Sequence, residues 1–191
     1  ALADDQRTDA MRVAEAEFAF RLKGSLPPRE RAYGLQEVLD VVESLHPAIE
    51  LPDSRYEDYA SVGAPQLIAD TACACWLELG GNVSADWRNM DLAAHDVVAY
   101  RNGGEVGRGR GSNVLGDPLV ALTWLVNEAA NYCGGVKAGQ FVTTGTCVPP
   151  VTVAPGEPFA RMFVIEKSLP GGILVNDRGE RFVNEGAPYI D

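Results

Sequence analysis

Soft metal ligands are scarce in this chain: two histidines and four cysteines stand among 191 residues. The cysteines, at 73, 75, 133 and 147, match neither a zinc ribbon nor a redox Cys-x-x-Cys, and are expected to be reduced, buried, small apolar residues. Basic charge is short as well. Lys and Arg number 16 against 27 Asp and Glu, a net charge of −11, which excludes non-specific nucleic-acid binding. No apolar run is long enough to span a membrane, and Ala1-Leu2-Ala3-Asp4-Asp5 lacks the basic and apolar regions of a signal peptide. The expectation is a cytoplasmic protein without a membrane partner. Neither a P-loop nor a dinucleotide fingerprint occurs. What the chain does have is 46% apolar residues, enough to bury the core of one domain, and an excess of carboxylates.

Those carboxylates carry the first functional signal. Read as a strand, Arg12-Val13-Ala14-Glu15-Ala16-Glu17-Phe18-Ala19-Phe20 puts Glu15 and Glu17 on one face with Val13 and Ala19. Ala14, Ala16, Phe18 and Phe20 cover the other. Two like charges on one side of a short strand raise each other's pKa unless a cation lies between them, which invites a metal. The alternative for an isolated Glu-x-Glu is the solvated face of an edge strand. Leu35, Val38, Leu39, Val42 and Leu45 recur at helical spacing, so a helix is predicted over 35–46, stopped by Pro47. Glu50 then falls between Ile49 and Leu51 on a short strand, and a strand-helix-strand excursion could bring it to the first two. Three carboxylates make a hard oxygen site suited to Mg²⁺ or Mn²⁺.

The rest of the chain supplies candidate walls. Residues 52–59 read as a surface loop or short helix, 61–70 as a connection, and 71–77 as a buried strand with Asp70 at its entrance. Capping of local backbone is one reading of that Asp. Strand 97–101 turns at Asn102-Gly103-Gly104, residues that tolerate positive φ. Between Gly107 and Ser112 side chains are sparse, so backbone N–H groups could approach an anion closely. Asp117 and Pro118 are N-cap and N1 of a helix predicted over 118–132, whose N-terminus could meet the same anion. Residues 140–145 read as a strand opening into a loop, with Thr144-Gly145 as a β-branched strand end and turn glycine. Closing strands follow at 151–153 and 159–165, and a hairpin at 173–183.

Several of these pieces also carry a resemblance. They are Arg12-Val13-x-Glu15-x-Glu17-x-Ala19-Phe20, Leu45-His46-Pro47-Ala48-Ile49-Glu50 followed by Ser54-Arg55, and Ile68-Ala69-Asp70. Gly109-Arg110-Gly111-Ser112-x-x-Leu115-Gly116-x-Pro118 and Ala121-x-x-Trp124-Leu125 come next. Lys137-Ala138-Gly139-Gln140-x-Val142-x-Thr144-Gly145 and Val151-x-Val153-x-x-Gly156 complete the series. In this order, from about Met11 to about Phe163, the chain resembles the fumarylacetoacetate hydrolase superfamily. The matching branch is that of 2-oxopent-4-enoate (2-hydroxypentadienoate) hydratases and 4-oxalocrotonate decarboxylases.

The resemblance implies an α+β fold, a mixed β-rich roll with two main outer helices. It implies Mg²⁺ or Mn²⁺ held by Glu15, Glu17 and Glu50, a substrate carboxylate held around Gly111, Ser112, Thr144 and Gly145, and a catalytic place for Asp70. The implied activity is hydration of a 2-hydroxypenta-2,4-dienoate-type 2-oxo acid in aromatic or steroid ring catabolism, with 4-oxalocrotonate-type decarboxylation as the alternative. The implied partners are that small 2-oxo/2-hydroxy-dienoic acid, further copies of the chain in a homo-oligomer, and a second pathway enzyme.

The expected division is a polar segment 1–10, a hydratase-like domain 11–165 and an atypical C-terminal hairpin or tail 166–191. Members of the family place a lysine-bearing segment ahead of the Glu-x-Glu strand. Only ten polar residues precede it here, so a non-catalytic truncated or partner subunit stays open. Residues 169–189 resemble an internal piece of fumarate reductase and 3-ketosteroid dehydrogenase flavoproteins, without a dinucleotide fingerprint.

Overall fold

The computed structural model describes residues 11–153 and the backbone of 164 and 165. Val13–Leu22 forms the central strand, β1. Its Ala14, Ala16, Phe18 and Phe20 are buried as alternation requires. β1 is not an edge strand. Val42–Leu51 (β2) pairs with it antiparallel on one side, and Phe141–Thr146 (β6) and Val151–Thr152 (β7) do so on the other. Trp76–Leu79 (β3) extends this sheet beyond β2, giving the order β3-β2-β1-β6. Asp96–Arg101 (β4) lies between Gly104–Arg110 (β5) and Val164–Ile165 (β8) in a second, three-stranded sheet. The hairpin between β4 and β5 turns as predicted, with Asn102 at φ 53° and Gly103 at φ 80°.

Two main helices, Leu35–Val41 (α1) and Pro118–Tyr132 (α3), pack into one core with the apolar face of β1. Val38, Leu122 and Val126 of these helices are fully enclosed with Phe18, Phe20 and Leu22. α3 starts as its sequence dictates: the Asp117 carboxylate accepts the Leu119 N–H at 2.8 Å, so this acid is turned onto its own helix.

Three elements differ from the sequence reading. The helix expected over 35–46 ends at Val41, and residues 42–51 are strand. The apolar spacing runs on through Val42 and Leu45, but the β-branched pair Val41-Val42 and the residue before Pro47 favour extended backbone. The Val41 carbonyl is taken by the Lys23 N–H at 2.8 Å, which ends the helical ladder. Pro47 is tolerated within β2 because pairing with β3 begins only at Ala48.

Residues 71–73 form a left-handed turn rather than strand, and β3 begins at Trp76. Within the stretch 61–70, Ala64–Ala69 (α2) is helical, started by Gly63 with Pro65 in its first turn. Among the cysteines, Cys73 and Cys147 are buried as expected, whereas Cys75 is half-buried and Cys133 exposed at the end of α3; all four are free thiols. The strand residues expected at 159–163, the segment 1–10 and the hairpin at 173–183 lie outside the described residues. Among the described residues no helix is long and apolar enough to cross a membrane.

Candidate metal centre

Glu15 pairs directly with Glu50 across β1 and β2, and Glu17 lies two residues along the same face. Antiparallel partners point the same way, so the register alone gathers three carboxylates on one side of the sheet. One carboxylate oxygen from each lies within 4.8 Å of the others. Oxygens bound to a common ion at about 2.1–2.5 Å stand up to about 5 Å apart, so the cluster has the span of a divalent-cation site.

The sheet buries these acids unequally. Glu17 is only 4% exposed, while Glu15 and Glu50 are half-buried. Burial, reinforced by the negative charges of Glu50 and Glu15, pushes the Glu17 pKa up to about 7, against the pull of a hydrogen bond from the Gly145 N–H. Burial and then the charge of Glu50 also raise Glu15. Three ionised carboxylates at this spacing need a cation.

Gly145 reaches Glu17 through a bulge in β6. Thr146 is paired with Glu17 and Thr143 with Ala19, so Thr144 and Gly145 together oppose Phe18. The Thr144 hydroxyl donates to the Phe18 carbonyl at 3.2 Å, and Gly145, at φ 106°, donates its N–H to Glu17 Oε2 at 2.9 Å. The bulge therefore aims a backbone donor at the most buried ligand. Gly145 thus contacts the Glu17 carboxylate and Thr144 the backbone of Phe18, and both donors are spent on organising β1.

Gly111 and Ser112 sit in the turn after β5. The Gly111 N–H donates to the His95 carbonyl at 2.9 Å and the Ser112 N–H to the Ala93 carbonyl at 2.8 Å. The glycines permit close packing here: a Cβ on Gly109 would strike the Cys147 carbonyl, and one on Gly111 the Leu92 carbonyl. This turn is joined to the centre indirectly. Asn113 donates to the Cys147 carbonyl at 2.8 Å, the Cys147 N–H donates to Ala16 O at 2.7 Å, and Val114 borders Gly145. Burial and the Glu17 charge push the Cys147 thiol up to about 12.

Asp70 lies off the sheet, at the C-terminal end of α2 and just before the turn at 71–73. It is buried and accepts the Ser54 hydroxyl at 2.7 Å, and its Oδ1 meets Arg55 Nε at 2.5 Å. The Ser54 hydrogen bond comes first among the causes that hold its pKa low. Ser54 and Arg55 entered the sequence reading only among the residues that carry the resemblance, without a site role. His46, on the Glu50 face, is occupied: Ser44 Oγ meets its Nε2 and the Gly80 carbonyl its Nδ1, both at 2.8 Å. Among the described residues the metal donor set is therefore carboxylate alone.

No family model matches the chain. It is 34% identical over 146 residues to a 2-hydroxyhexa-2,4-dienoate hydratase of Comamonas testosteroni, covering 76% of this chain and 54% of that protein. A 4-oxalocrotonate decarboxylase of Pseudomonas putida is 35% identical over 121 residues, 63% of this chain and 45% of that one. A solved 4-oxalocrotonate decarboxylase from Pseudomonas putida G7, complexed with magnesium and adipate, superposes with a TM-score of 0.65 at 32% identity, covering 75% of this chain and 53% of that chain. The chain is thus similar in sequence and in fold to hydratases and decarboxylases of this group over its described core. A fumarylacetoacetate hydrolase from Exiguobacterium antarcticum shares the α+β fold at 18% identity, with a TM-score of 0.53 over 88% of this chain and 56% of that one. The chain spans about half the length of the curated relatives it matches.

Proposed function

We propose that this chain serves a divalent-metal-dependent lyase that hydrates a 2-hydroxypenta-2,4-dienoate-type 2-oxo acid, with Glu15, Glu17 and Glu50 holding Mg²⁺ or Mn²⁺. The observation that carries the reading is the convergence of those three carboxylates within 4.8 Å. The donor set fits a hard cation, since it is all oxygen and includes an acid that burial keeps near pKa 7 without one. Bound there, the cation would supply Lewis acidity to the substrate's carboxylate and 2-oxo oxygens as negative charge develops on them.

The chain's own residues would do the positioning. Gly145 N–H orients Glu17, and Thr144 fixes the bulge that aims it. Gly111 and Ser112 would wall the substrate carboxylate, with the half-buried Ser112 hydroxyl as their remaining polar group. Asp70 would act through Ser54 and Arg55, which it holds. Names among the relatives also support a second reading, decarboxylation of 4-oxalocrotonate; both reactions develop negative charge on the same oxygens. A homo-oligomer, with or without a second pathway enzyme, and a cytoplasmic location complete the proposal.

The first test is Mn²⁺ binding followed by electron paramagnetic resonance, with Glu17→Gln beside the native chain. Saturable binding that weakens by more than about tenfold in the variant is expected. No saturable binding by the native chain would sink the metal reading. Product analysis then separates the reactions: hydrated acid from the dienoate, or CO₂ from 4-oxalocrotonate.

A further inference from the structure

The edge strand β3 carries two leucines that the core does not use. Trp76 and Glu78 alternate with Leu77 and Leu79, so the two pairs point to opposite faces of the sheet. Trp76, opposite Leu51, packs against the small apolar cluster of Ala14, Leu51 and Val153. Leu77 and Leu79 belong to neither apolar cluster of the described residues, and Leu77 is 39% exposed. An exposed leucine alone needs no explanation. Its position on the sheet supplies one here.

The pairing register sets these leucines in line with the metal ligands. Glu15, Glu50 and Leu77 stand opposite one another on β1, β2 and β3, and Glu17, Ala48 and Leu79 form the next row on the same face. Opposed residues of antiparallel strands point to one side, with Cβ atoms about 4.5–5.5 Å apart. Leu77 is therefore the immediate neighbour of Glu50, and Leu79 stands one strand beyond Ala48. Among the described residues no further strand of this sheet follows β3, so the leucines line its margin. In the other direction, past Glu17 and Ala48, the face is already engaged. Arg21 pairs with Glu43 there, and His46 holds Ser44 and the Gly80 carbonyl with Phe141 edge-on to its ring. Apolar contact for a ligand held at Glu50 is offered on the β3 side.

We propose that Leu77, with Leu79 beside it, forms the subsite for the hydrocarbon end of a metal-held 2-oxo acid and sets how much apolar substituent the site prefers. This rests on the metal-centre reading above. Both leucines are specificity residues, touching the substrate away from the atoms that react. The test titrates the Mn²⁺-loaded chain calorimetrically with pyruvate, 2-oxopentanoate and 2-oxohexanoate, which share one chelating head and differ only in hydrocarbon.

Affinity for the native chain should rise about three- to fourfold per added methylene, the scale of removing one CH₂ from water. Leu77→Gln, similar in size but polar, should flatten the series while Mn²⁺ and pyruvate affinities stay at their native values, and Leu77→Met should keep the slope. Leu79→Gln should reduce the gain at the longest acid. A native series without slope, or a slope that survives in Leu77→Gln, overturns the proposal and leaves the metal centre standing. A surviving slope together with slower sedimentation of Leu77→Gln would give this face to a second copy of the chain instead. Failure of the native chain to bind Mn²⁺ overturns both readings.

Discussion

Glu17 is required to be both buried and anionic, and its titration reports the conflict. Unfolded, it titrates near 4.5; folded, near 7. Between those values the folded chain holds the extra proton, so the contribution of Glu17 to stability is present below about 4.5 and is lost as pH rises through about 7. Glu17→Gln retains an acceptor for the Gly145 N–H and removes the charge. The metal-free native chain should therefore lose urea resistance relative to this variant between about pH 5 and pH 7.5. Parallel midpoints across that range would mean that the folded site accommodates the ionised acid without a cation. The faces of β1 were readable at this scale, because alternation assigns Glu15 and Glu17 to one side from sequence alone. The N–H on Glu17 was not, because it depends on which residue of a distant strand stands opposite Phe18.

At the scale of elements, the bulge in β6 is the part of the site most exposed to a single change. Gly145, at φ 106°, has room for a methyl group, the nearest atom to an added Cβ being 3.7 Å away, so alanine would be opposed by backbone conformation alone. Gly139, at φ 86° with nothing within 4 Å of its Cβ position, presents the same strain in the turn before β6, where its N–H donates to Leu22 O. Either alanine should cost about 1–2 kcal/mol in thermal or urea unfolding. Only Gly145→Ala should also weaken Mn²⁺ binding, because only there does relaxation of the backbone turn an N–H away from Glu17. Equal Mn²⁺ affinity in the two variants would remove the bulge from the metal centre.

Long elements with clear punctuation were legible: α3 from Asp117-Pro118 and the β4–β5 hairpin from Asn102-Gly103. The boundary between α1 and β2 was not, because Val38, Val42 and Leu45 satisfy a helical period while tertiary pairing with β1 claims the last two for a strand. The turn at 71–73 escaped for a different reason: nothing in Thr-Ala-Cys signals left-handed backbone, which is held there by its surroundings.

Over the whole molecule, strand order is what the sequence conveyed least, since β1 meets β6 across more than a hundred residues and local pattern carries no register at that range. Net charge, by contrast, was fully legible and has consequences at the site. A charge of −11 attracts a divalent cation and repels a dicarboxylate from all sides. The field reaches about 30 Å at 0.01 M salt and about 8 Å at 0.15 M, so it is largely screened over that range. Raising NaCl between these concentrations should weaken Mn²⁺ binding and, in the Mn²⁺-loaded chain, tighten adipate binding. Contacts within the site are shorter than either screening length and change little. If both affinities fell together, close-range attraction at the site would outweigh the repulsion of the molecule as a whole. Opposite signs would mean that the acidic surface favours the metal and that the anion depends on fixed local groups to overcome it.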